Sequence, residues 1–398
     1  MIVKPKTKGF ICTTAHPVGC EKNVEQAVAY AKAHPIPQGP KRVLVLGSST
    51  GYGLASRIAA TFGSGADSVG VFFERPAAGK RTASAGWYNN LAFERLARQE
   101  GRVAESINGD AYSNEIKEQA IRYIQDKLPG GQVDLVIYSL AAPKRTDPNT
   151  GEVYSSVIKP IGAPFLGKTV DFHSGEVTEV EVPPATEKEI ADTVKVMGGE
   201  DWLLWIEALQ SAGVLAPGAL TLAYSYLGPV LTHAVYKDGT IGRAKEDLEA
   251  KANEIDALLS PTGGKAFVSV NKALVTQASA AIPVVPLYIS LLFREMKERG
   301  THEDCTMQMV RMMERIYQSG SLGHWNGVPT DEEGRIRMDD WEMDAAIQAA
   351  VAERWDEVST ANLESLADLA GYRDDFFHLF GFNCDSVDYE EDVEIDLN

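Results

Sequence analysis

The chain has 398 residues, of which 44% are hydrophobic and 24% are charged, as in an ordinary globular protein. Its formal net charge is −18, which argues against a nucleic-acid partner, because surfaces that bind nucleic acid are basic. The longest apolar run, residues 280–293, contains two prolines and is shorter than the roughly 20 residues of a membrane-spanning helix. We therefore expect neither a nucleic-acid nor a membrane partner, and we expect residues 280–293 to form a buried helix or a pocket wall.

The N-terminal segment and the cysteines indicate a cytoplasmic location. Lys4, Lys6 and Lys8 precede an apolar stretch, residues 9–12, that is too short for the core of a signal peptide. No two cysteines form a CxxC pair, and the spacing of the two that flank His16 is not a recognised metal-ligand pattern. We therefore interpret the cysteines as reduced thiols and predict no metal site. The cysteines are Cys12, Cys20, Cys305 and Cys384.

Short apolar, β-rich runs alternate with helical patterns along the first two thirds of the chain. Between the third and fourth runs, apolar residues recur every four positions over residues 114–128, which predicts an amphipathic helix. Strands that alternate with helices predict an α/β fold with a doubly wound parallel sheet of the Rossmann type. The carboxyl ends of the strands then share one edge, where such sheets bind ligands. The predicted strands are residues 42–46, 68–73, 102–107, 133–138, 219–226 and 266–270.

Two segments depart from this alternation. Residues 143–216 form a long insertion, in which Trp202 and Trp205 are spaced to share one face of a helix. Residues 300–398 are predicted to be mostly helical and to end in an acidic, solvated tail at 385–398. Because we find no internal repeat and no low-complexity linker, we expect residues 1–398 to form a single unit.

Residues 47–53, Gly-Ser-Ser-Thr-Gly-Tyr-Gly, lie between the first predicted strand and a helical pattern. Glycines in that position allow a tight turn and a close approach of the backbone to a pyrophosphate. Glu74 ends the second strand, where a carboxylate would bind the adenosine ribose and repel a 2′-phosphate, favouring NADH. Arg75 leaves an alternative open, since a guanidinium could receive that phosphate.

Small and polar residues follow three further strands at the same predicted edge. Asp110 and Ala111 come after the third strand and could meet the adenine, and Ser139 and Leu140 follow the fourth. After the sixth strand, the backbone of residues 274–276 could hold the nicotinamide carboxamide. The apolar helix that comes next could wall an acyl channel or simply pack in the core.

A tyrosine and a lysine after the fifth strand suit carbonyl or enolate chemistry. Tyr236 could donate a hydrogen bond or a proton to a developing oxyanion, and Lys245 could lower its pKa and bind the cofactor ribose. In one straight helix the two residues would point to opposite faces, so they converge only if the helix begins between them. Gly239 and Gly242 provide a suitable break.

Together these motifs resemble those of the trans-2-enoyl-CoA reductases and the FabV-type enoyl-acyl-carrier-protein reductases. The Tyr-x8-Lys spacing of Tyr236 and Lys245 is the most specific of them, because ordinary short-chain dehydrogenases use a closer pair. The resemblance covers nearly the whole chain. Its other motifs are GSSTGYG, VFFER, NGDA, YSLAAP, TGEV, VMGGEDW, AYSYLGP, LVTQASAAIPVVPLY and DLAGYRDDF.

The resemblance implies a short-chain-dehydrogenase-like enzyme, generally monomeric, that reduces the C2=C3 bond of a 2-enoyl thioester with NADH. It implies that Tyr236 is the proton donor or hydrogen-bonds the enolate oxygen, that Tyr226 contacts the thioester carbonyl and that Lys245 holds the cofactor ribose. The insertion and the C-terminal helices would enlarge the substrate side. The residues implied to bind NADH are Ser48, Ser49, Thr50, Gly51, Tyr52, Gly53, Glu74, Arg75, Asp110, Ala111, Ser139, Leu140, Lys245, Leu274, Val275 and Thr276.

Two other functions share this fold: a carbonyl reductase acting on 3-ketoacyl substrates, and a non-catalytic NADH sensor. The long Tyr–Lys spacing and the additional Tyr226 argue against the first. Nothing in the sequence indicates a flavin or a nucleophilic triad. The acyl carrier stays open, because coenzyme A and acyl carrier protein share the phosphopantetheine arm. The segments AYSYLGP and RTDPNTGEV resemble the coenzyme A branch more closely, so we favour coenzyme A. Docking the acidic carrier protein would need a local basic patch, for which residues 80–81 and 144–145 are candidates.

Overall fold

The computed structural model describes residues 1–9 and 11–397, which form β-strands and α-helices in alternation. The strands are β1 (Thr7–Lys8), β2 (Ile11–Cys12), β3 (Arg42–Leu46), β4 (Asp67–Phe72), β5 (Ala104–Asn108), β6 (Val133–Tyr138), β7 (Lys144–Thr146), β8 (Val153–Ser155), β9 (Phe165–Asp171), β10 (Glu176–Val182), β11 (Leu215–Ser225), β12 (Lys265–Val270) and β13 (Ile336–Arg337). The helices are α1 (Pro17–Ala33), α2 (Gly51–Ile58), α3 (Ala85–Gln99), α4 (Asn114–Lys127), α5 (Glu187–Met197), α6 (Glu200–Ser211), α7 (Thr240–Leu259), α8 (Val285–Arg299), α9 (Cys305–Ser319), α10 (Ala345–Glu357), α11 (Leu363–Leu366) and α12 (Leu369–His378).

The central sheet has seven strands in the order β13-β12-β11-β6-β3-β4-β5, and every neighbouring pair is parallel. The chain starts in the middle at β3, runs outward through β4 and β5, and returns to build the other half from β6. This is the doubly wound topology, so the predicted fold class is confirmed. The strand order reverses between β3 and β6, and in such sheets the ligand crevice lies at the carboxyl ends of the strands at that point.

Alternation along β3 divides the core into two layers. Val43 and Val45 face a layer made by α1, α2, α3 and α9, whereas Leu44 and Leu46 face α4, α6 and α7. The apolar stripe predicted over residues 114–128 is buried as expected, and the Ser113 side chain caps the helix by accepting a hydrogen bond from the Ile116 amide. Both faces of the sheet are therefore covered, as a parallel sheet requires.

A third hydrophobic cluster lies outside the sheet. In it α8, buried along most of its length, packs against α10, α12 and the β9–β10 hairpin. The predicted insertion ends at residue 214, because β11 already begins at Leu215. In the described part of the chain, no helix combines the length and the apolarity needed to cross a membrane.

The acidic tail is only partly solvated. Its carboxylates are exposed, but Val393 and Ile395 are buried, and the Tyr88 hydroxyl donates a hydrogen bond of 2.7 Å to the Ile395 carbonyl. The prediction of a fully solvated end is therefore wrong. The run of acids hides two apolar residues, two positions apart, that pack against the N-terminal part of the fold.

Trp205 is a strong stability determinant of the layer that contains α6. It is fully buried, its indole donates to the Ala111 carbonyl at 3.0 Å, and the Lys117 ammonium lies 5.1 Å from the ring centroid. We expect Trp205→Ala to lower the free energy of unfolding by about 3–5 kcal/mol, measured by urea denaturation. Trp341→Ala is the control: this indole is 39% exposed, so about 1 kcal/mol is expected. Equal losses in the two variants would contradict the assignment.

Candidate active site

A cavity of about 1330 Å³ lies at the carboxyl edge of the sheet. It is lined by the segments that follow β3, β4, β5, β6, β11 and β12, together with parts of the insertion and α8. Pockets for one drug-sized ligand usually measure about 300–1,000 Å³. The cavity therefore has room for a dinucleotide and a second molecule.

The glycine loop after β3 has the shape of a phosphate cradle. Gly47 has φ +84°, and a Cβ there would lie 2.1 Å from the Ser139 carbonyl oxygen. A Cβ on Gly53 would lie 1.9 Å from the Gly47 carbonyl oxygen. Thr50 is the N-cap of α2, and its side chain makes no capping hydrogen bond, which leaves the first amides of the helix for an anion. The loop fits the pyrophosphate of a dinucleotide.

Glu74 is held beside this loop. The Ser49 hydroxyl donates to its carboxylate at 2.8 Å, and a Cβ on Gly86 would lie 2.1 Å from the same oxygen. Asn108 accepts from the Glu74 amide at 2.9 Å and donates to the Glu74 carbonyl at 3.0 Å. The carboxylate is therefore held in one position beside the glycine loop, at the edge of the cavity.

The structure brings most of the predicted residues to one cavity, but three of them do not line it. The Ser48 hydroxyl is buried and donates to the Val71 carbonyl at 3.3 Å, and Gly53 contributes only the close approach to Gly47. The Arg75 side chain is exposed, and among the described residues only its backbone is hydrogen-bonded, to Ser84. The residues that do line the cavity are Ser49, Thr50, Gly51, Tyr52, Glu74, Asp110, Ala111, Ser139, Leu140, Tyr226, Tyr236, Lys245, Leu274, Val275 and Thr276.

The different positions of Glu74 and Arg75 lead to a prediction about cofactor choice. Glu74→Gln removes the charge that would repel a 2′-phosphate, so we expect the NADH-to-NADPH ratio of kcat/KM to fall about tenfold, or about 1.4 kcal/mol. The measurement is the rate of oxidation of each cofactor with one enoyl substrate. Arg75→Gln is the control and is expected to leave the ratio unchanged. If instead Arg75→Gln selectively abolishes NADPH use, Arg75 binds the 2′-phosphate and the assignment is wrong.

The Tyr236–Lys245 pair has the predicted arrangement. Helix α7 begins at Thr240, between the two residues, and both line the cavity. The Lys245 ammonium donates to the Tyr224 carbonyl at 3.0 Å. The rings of Tyr236 and Tyr226 meet edge to face, with centroids 4.8 Å apart and planes at 86°. Among the described residues, the Tyr236 hydroxyl has no hydrogen-bond partner, so it is free for a ligand.

Burial sets the protonation of both groups. It raises the pKa of Tyr236 to about 12, with a further contribution from Glu342, so the phenol keeps its proton at neutral pH. Burial lowers the pKa of Lys245 to about 8, so this ammonium is charged at neutral pH but close to its limit. A protonated hydroxyl and a cation therefore both face the cavity, and both can stabilise an enolate there. The expectation that Lys245 lowers the pKa of Tyr236 is wrong, because burial and Glu342 raise it.

Sequence reasoning missed three polar residues at this wall: Lys272 lines the cavity, and Glu342 and Tyr288 are fully buried behind it. Glu342 accepts from the Tyr226 hydroxyl at 2.9 Å and from Tyr288 at 2.6 Å, and Lys272 is buried with its ammonium on the Ala273 carbonyl at 3.1 Å. The Tyr226 hydroxyl donates its hydrogen bond to Glu342 and not toward the cavity. The predicted contact of Tyr226 with a thioester carbonyl therefore stays a prediction. Glu342 lies in the acid-rich run 339–344, which is typical of a solvated surface, and no sequence signal distinguishes it.

The apolar helix after β12 divides between wall and core. Ile282, Val285 and Ile289 line the cavity. Leu292 and Phe293 are fully buried in the third cluster and are not part of the lining. Both interpretations of the run at 280–293 are therefore partly right, and the cavity has an apolar side suited to an acyl chain.

The fold and this site define a nicotinamide-dependent oxidoreductase of the Rossmann type. Residues 2–79 match the NAD(P)H binding domain of trans-2-enoyl-CoA reductase, and residues 81–317 match the trans-2-enoyl-CoA reductase catalytic region. Since these matches cover most of the sequence, the chain belongs to the trans-2-enoyl-CoA reductase family. The resemblance seen in the motifs is confirmed.

Individual relatives agree along their whole length. The chain is 58% identical to an enoyl-[acyl-carrier-protein] reductase [NADH] of Coxiella burnetii, covering 100% of this chain and 97% of that one. It is 55% identical to a trans-2-enoyl-CoA reductase [NADH] of Ruminiclostridium cellulolyticum, covering 100% and 99%. The crystal structure of Treponema denticola trans-2-enoyl-CoA reductase in complex with NAD superimposes with a TM-score of 0.95 at 50% identity, with 100% of both chains covered.

A third region, residues 330–393, matches a family described as an enoyl reductase FAD binding domain. In this chain the region forms β13, α10, α11 and α12, and it touches the large cavity through Asp375, His378 and Leu379 alone. β13 is followed by Met-Asp-Asp rather than a glycine loop. The buried carboxylates Asp339 and Glu342 are already bound by Arg337 and by the two tyrosines. These residues do not fit a flavin dinucleotide.

Proposed function

We propose that this chain reduces the C2=C3 double bond of a trans-2-enoyl thioester with NADH. One observation carries the proposal: the glycine loop, Glu74 and the Tyr236–Lys245 pair converge on a single cavity that also has an apolar wall. Family membership and the relatives named for NADH confirm the enzyme class, the reaction and the cofactor that the sequence predicts.

Bound NADH supplies the hydride that reduces C3. The loop at residues 47–53 and the first turn of α2 would hold its pyrophosphate, and Glu74 its adenosine ribose. Tyr236 donates a hydrogen bond to the thioester oxygen while the enolate forms, and then gives its proton to C2. Lys245, anchored on the Tyr224 carbonyl, stabilises the charge and binds the ribose next to the nicotinamide. Ile282 and Val285 keep water from the acyl chain.

The acyl carrier is part of this proposal. Relatives of similar identity carry either carrier in their names, which supports a substrate defined by the phosphopantetheine thioester that both carriers share. Lys144 is exposed at the cavity and is suited to a phosphate. Arg145, the other half of that basic pair, is buried and bound to Glu200 at 2.7 Å, so it is not part of a docking patch.

We further propose that the protein acts as a monomer in the cytoplasm and that residues 1–398 form one unit. The sheet supports the single unit, because it draws β3 and β4 from the first matched region, four strands from the second and β13 from the third. Light scattering at several concentrations tests the monomer. Proteolysis that releases a stable fragment would contradict the single unit.

The test of function is NADH oxidation with crotonyl-CoA, with the acyl product identified by mass spectrometry. We expect stoichiometric butyryl-CoA. Crotonyl-acyl-carrier-protein, assayed in parallel, gives the carrier preference from the two kcat/KM values. Acetoacetyl-CoA is the control: NADH oxidation with it, and none with either enoyl thioester, would make the protein a carbonyl reductase. Tight NADH binding without turnover of any of the three would make it a sensor.

A further inference from the structure

The Glu342 carboxyl group lies fully buried behind the active-site tyrosines. One of its oxygens accepts hydrogen bonds from the hydroxyls of Tyr226, at 2.9 Å, and Tyr288, at 2.6 Å. The other accepts from the Ala273 amide at 2.7 Å. These donors come from the end of β11, from α8 and from the segment after β12. One carboxyl group therefore joins three separate walls of the cavity.

Burying a carboxyl group costs free energy unless hydrogen bonds stabilise it. Burial raises the pKa of Glu342, and the hydrogen bonds from Tyr288 and Ala273, together with the charge of Lys272, act against that rise. Gln348 closes the network by donating to the Glu342 carbonyl at 2.7 Å and to the Tyr288 hydroxyl at 3.2 Å. A fully bonded polar network in an apolar wall fixes a unique geometry, which an apolar packing of the same volume does less well.

The network gives the two tyrosines different tasks. The Tyr226 hydroxyl donates a hydrogen bond to Glu342, whereas the Tyr236 hydroxyl has no hydrogen-bond partner among the described residues. The Tyr226 ring stands edge-on against the Tyr236 ring at a centroid distance of 4.8 Å, so a change in the position of one ring changes the other. Holding Tyr226 therefore also orients the hydroxyl that faces the substrate.

We propose that Glu342 is a positioning residue for enoyl reduction, which acts through Tyr226 to orient Tyr236 toward the oxygen of the thioester. This rests on the proposed function, because it assigns Tyr236 as the proton donor. Glu342 touches neither substrate nor cofactor in this role. It acts on the step in which the enolate forms and not on the binding of NADH.

The charge of Glu342 provides a second signature. In the described part of the chain, the titratable groups that pack against Tyr236 or act on it are Tyr226, which follows β11, and Glu342. Glu342 is in turn faced by Tyr288 from α8 and by Lys272. The ionised Glu342 raises the pKa of Tyr236 beyond the effect of burial. Removing that charge lowers the pKa of Tyr236, a change in the phenol itself that is separate from the titration of Lys245 near pH 8.

The experiment compares the wild type with Glu342→Gln, using crotonyl-CoA, or the enoyl-acyl-carrier-protein if that carrier is preferred. We expect kcat to fall about tenfold or more, while the NADH dissociation constant, from cofactor fluorescence, stays within about twofold. The pKa of Tyr236, read as the difference in ultraviolet phenolate titration between an enzyme and its Tyr236→Phe variant, should be lower in Glu342→Gln than in the wild type. Tyr226→Phe should cause a similar loss of kcat, and the double variant should lose no more than either single variant, because the two residues act as one unit.

Asp339→Asn is the matched control. This carboxylate is also fully buried and belongs to the same segment, but it is paired with Arg337 at 2.7 Å, whereas Glu342 is bonded to the two tyrosines. We expect it to lower the melting temperature and to leave kcat and its pH profile unchanged. An equal loss of kcat in Asp339→Asn would mean that the segment matters only for stability.

Three results would overturn the proposal: a wild-type kcat and a wild-type Tyr236 pKa in Glu342→Gln, additive losses in the double variant, or a loss of NADH affinity as large as the loss of kcat. If Glu342→Gln does not fold, Tyr288→Phe replaces it, since it removes a donor and keeps the carboxylate; a wild-type kcat in that variant would also overturn the proposal. A wild type that is inert with both enoyl carriers contradicts the proposed function itself, which separates the two failures.

Discussion

Tyr236→Phe is expected to lower kcat for enoyl reduction by about 10²–10⁴-fold, the usual worth of a positioned acid. The substitution removes one oxygen and keeps the ring. The edge-to-face contact with Tyr226 is therefore kept, while the one hydroxyl of the pair that is free for substrate is lost. Burial, which raises the pKa of this phenol to about 12, guarantees that the wild-type group carries its proton at neutral pH. NADH affinity should stay within about twofold, because no cofactor contact is assigned to Tyr236.

The measurement combines steady-state NADH oxidation with fluorescence titration of NADH. Tyr224→Phe is the control, because this tyrosine also lines the cavity, but its hydroxyl is bonded to the Ser56 hydroxyl at 2.5 Å. We expect Tyr224→Phe to retain kcat within about threefold. A Tyr236→Phe variant that keeps most of its turnover would mean that the proton comes from another group or from water.

The sheet was predictable because its strands are short apolar runs between helical patterns. All six runs from residues 42–46 to 266–270 are strands in the structure, and the edge they define holds the cavity. β13 was not predictable, since it has two residues, Ile336 and Arg337, and no periodicity can be read from so short a segment. The acidic tail was misjudged for a related reason: two buried apolar residues among exposed acids produce no net pattern.

The site was predictable where a position follows from topology and not where it depends on side-chain direction. Residues after successive parallel strands share one edge, so Glu74, Asp110 and Ser139 all line the cavity, and their roles in binding the cofactor stay predictions. Within the loop after β3 and the turn after β4, side chains alternate between cavity and core or solvent, so Ser48 and Arg75 point away. Glu342, which lies far along the sequence, enters the site through tertiary packing alone.

Lys245→Met is expected to reduce kcat/KM for NADH about a hundredfold, or about 2.7 kcal/mol, by removing a cation from the cofactor site. The pH dependence of kcat/KM in the wild type should follow the titration of this lysine. Burial lowers the pKa of Lys245 to about 8, so the ammonium is present below that pH and is lost as the pH rises through it. The wild-type kcat/KM should therefore be level below pH 8 and fall above it. The variant should be low throughout, without that limb.

Lys272, a second buried lysine, provides the control for Lys245→Met. Burial also lowers the pKa of Lys272 to about 8, and this residue lines the same cavity. Its ammonium, however, donates to the Ala273 carbonyl and lies 4.9 Å from the centre of the Phe293 ring, which turns it toward the core. Lys272→Met should therefore keep the limb near pH 8 that Lys245→Met loses. If the limb disappears in Lys272→Met instead, the titrating cation of the cofactor site is Lys272, and Lys245 serves to fix the carbonyl of Tyr224.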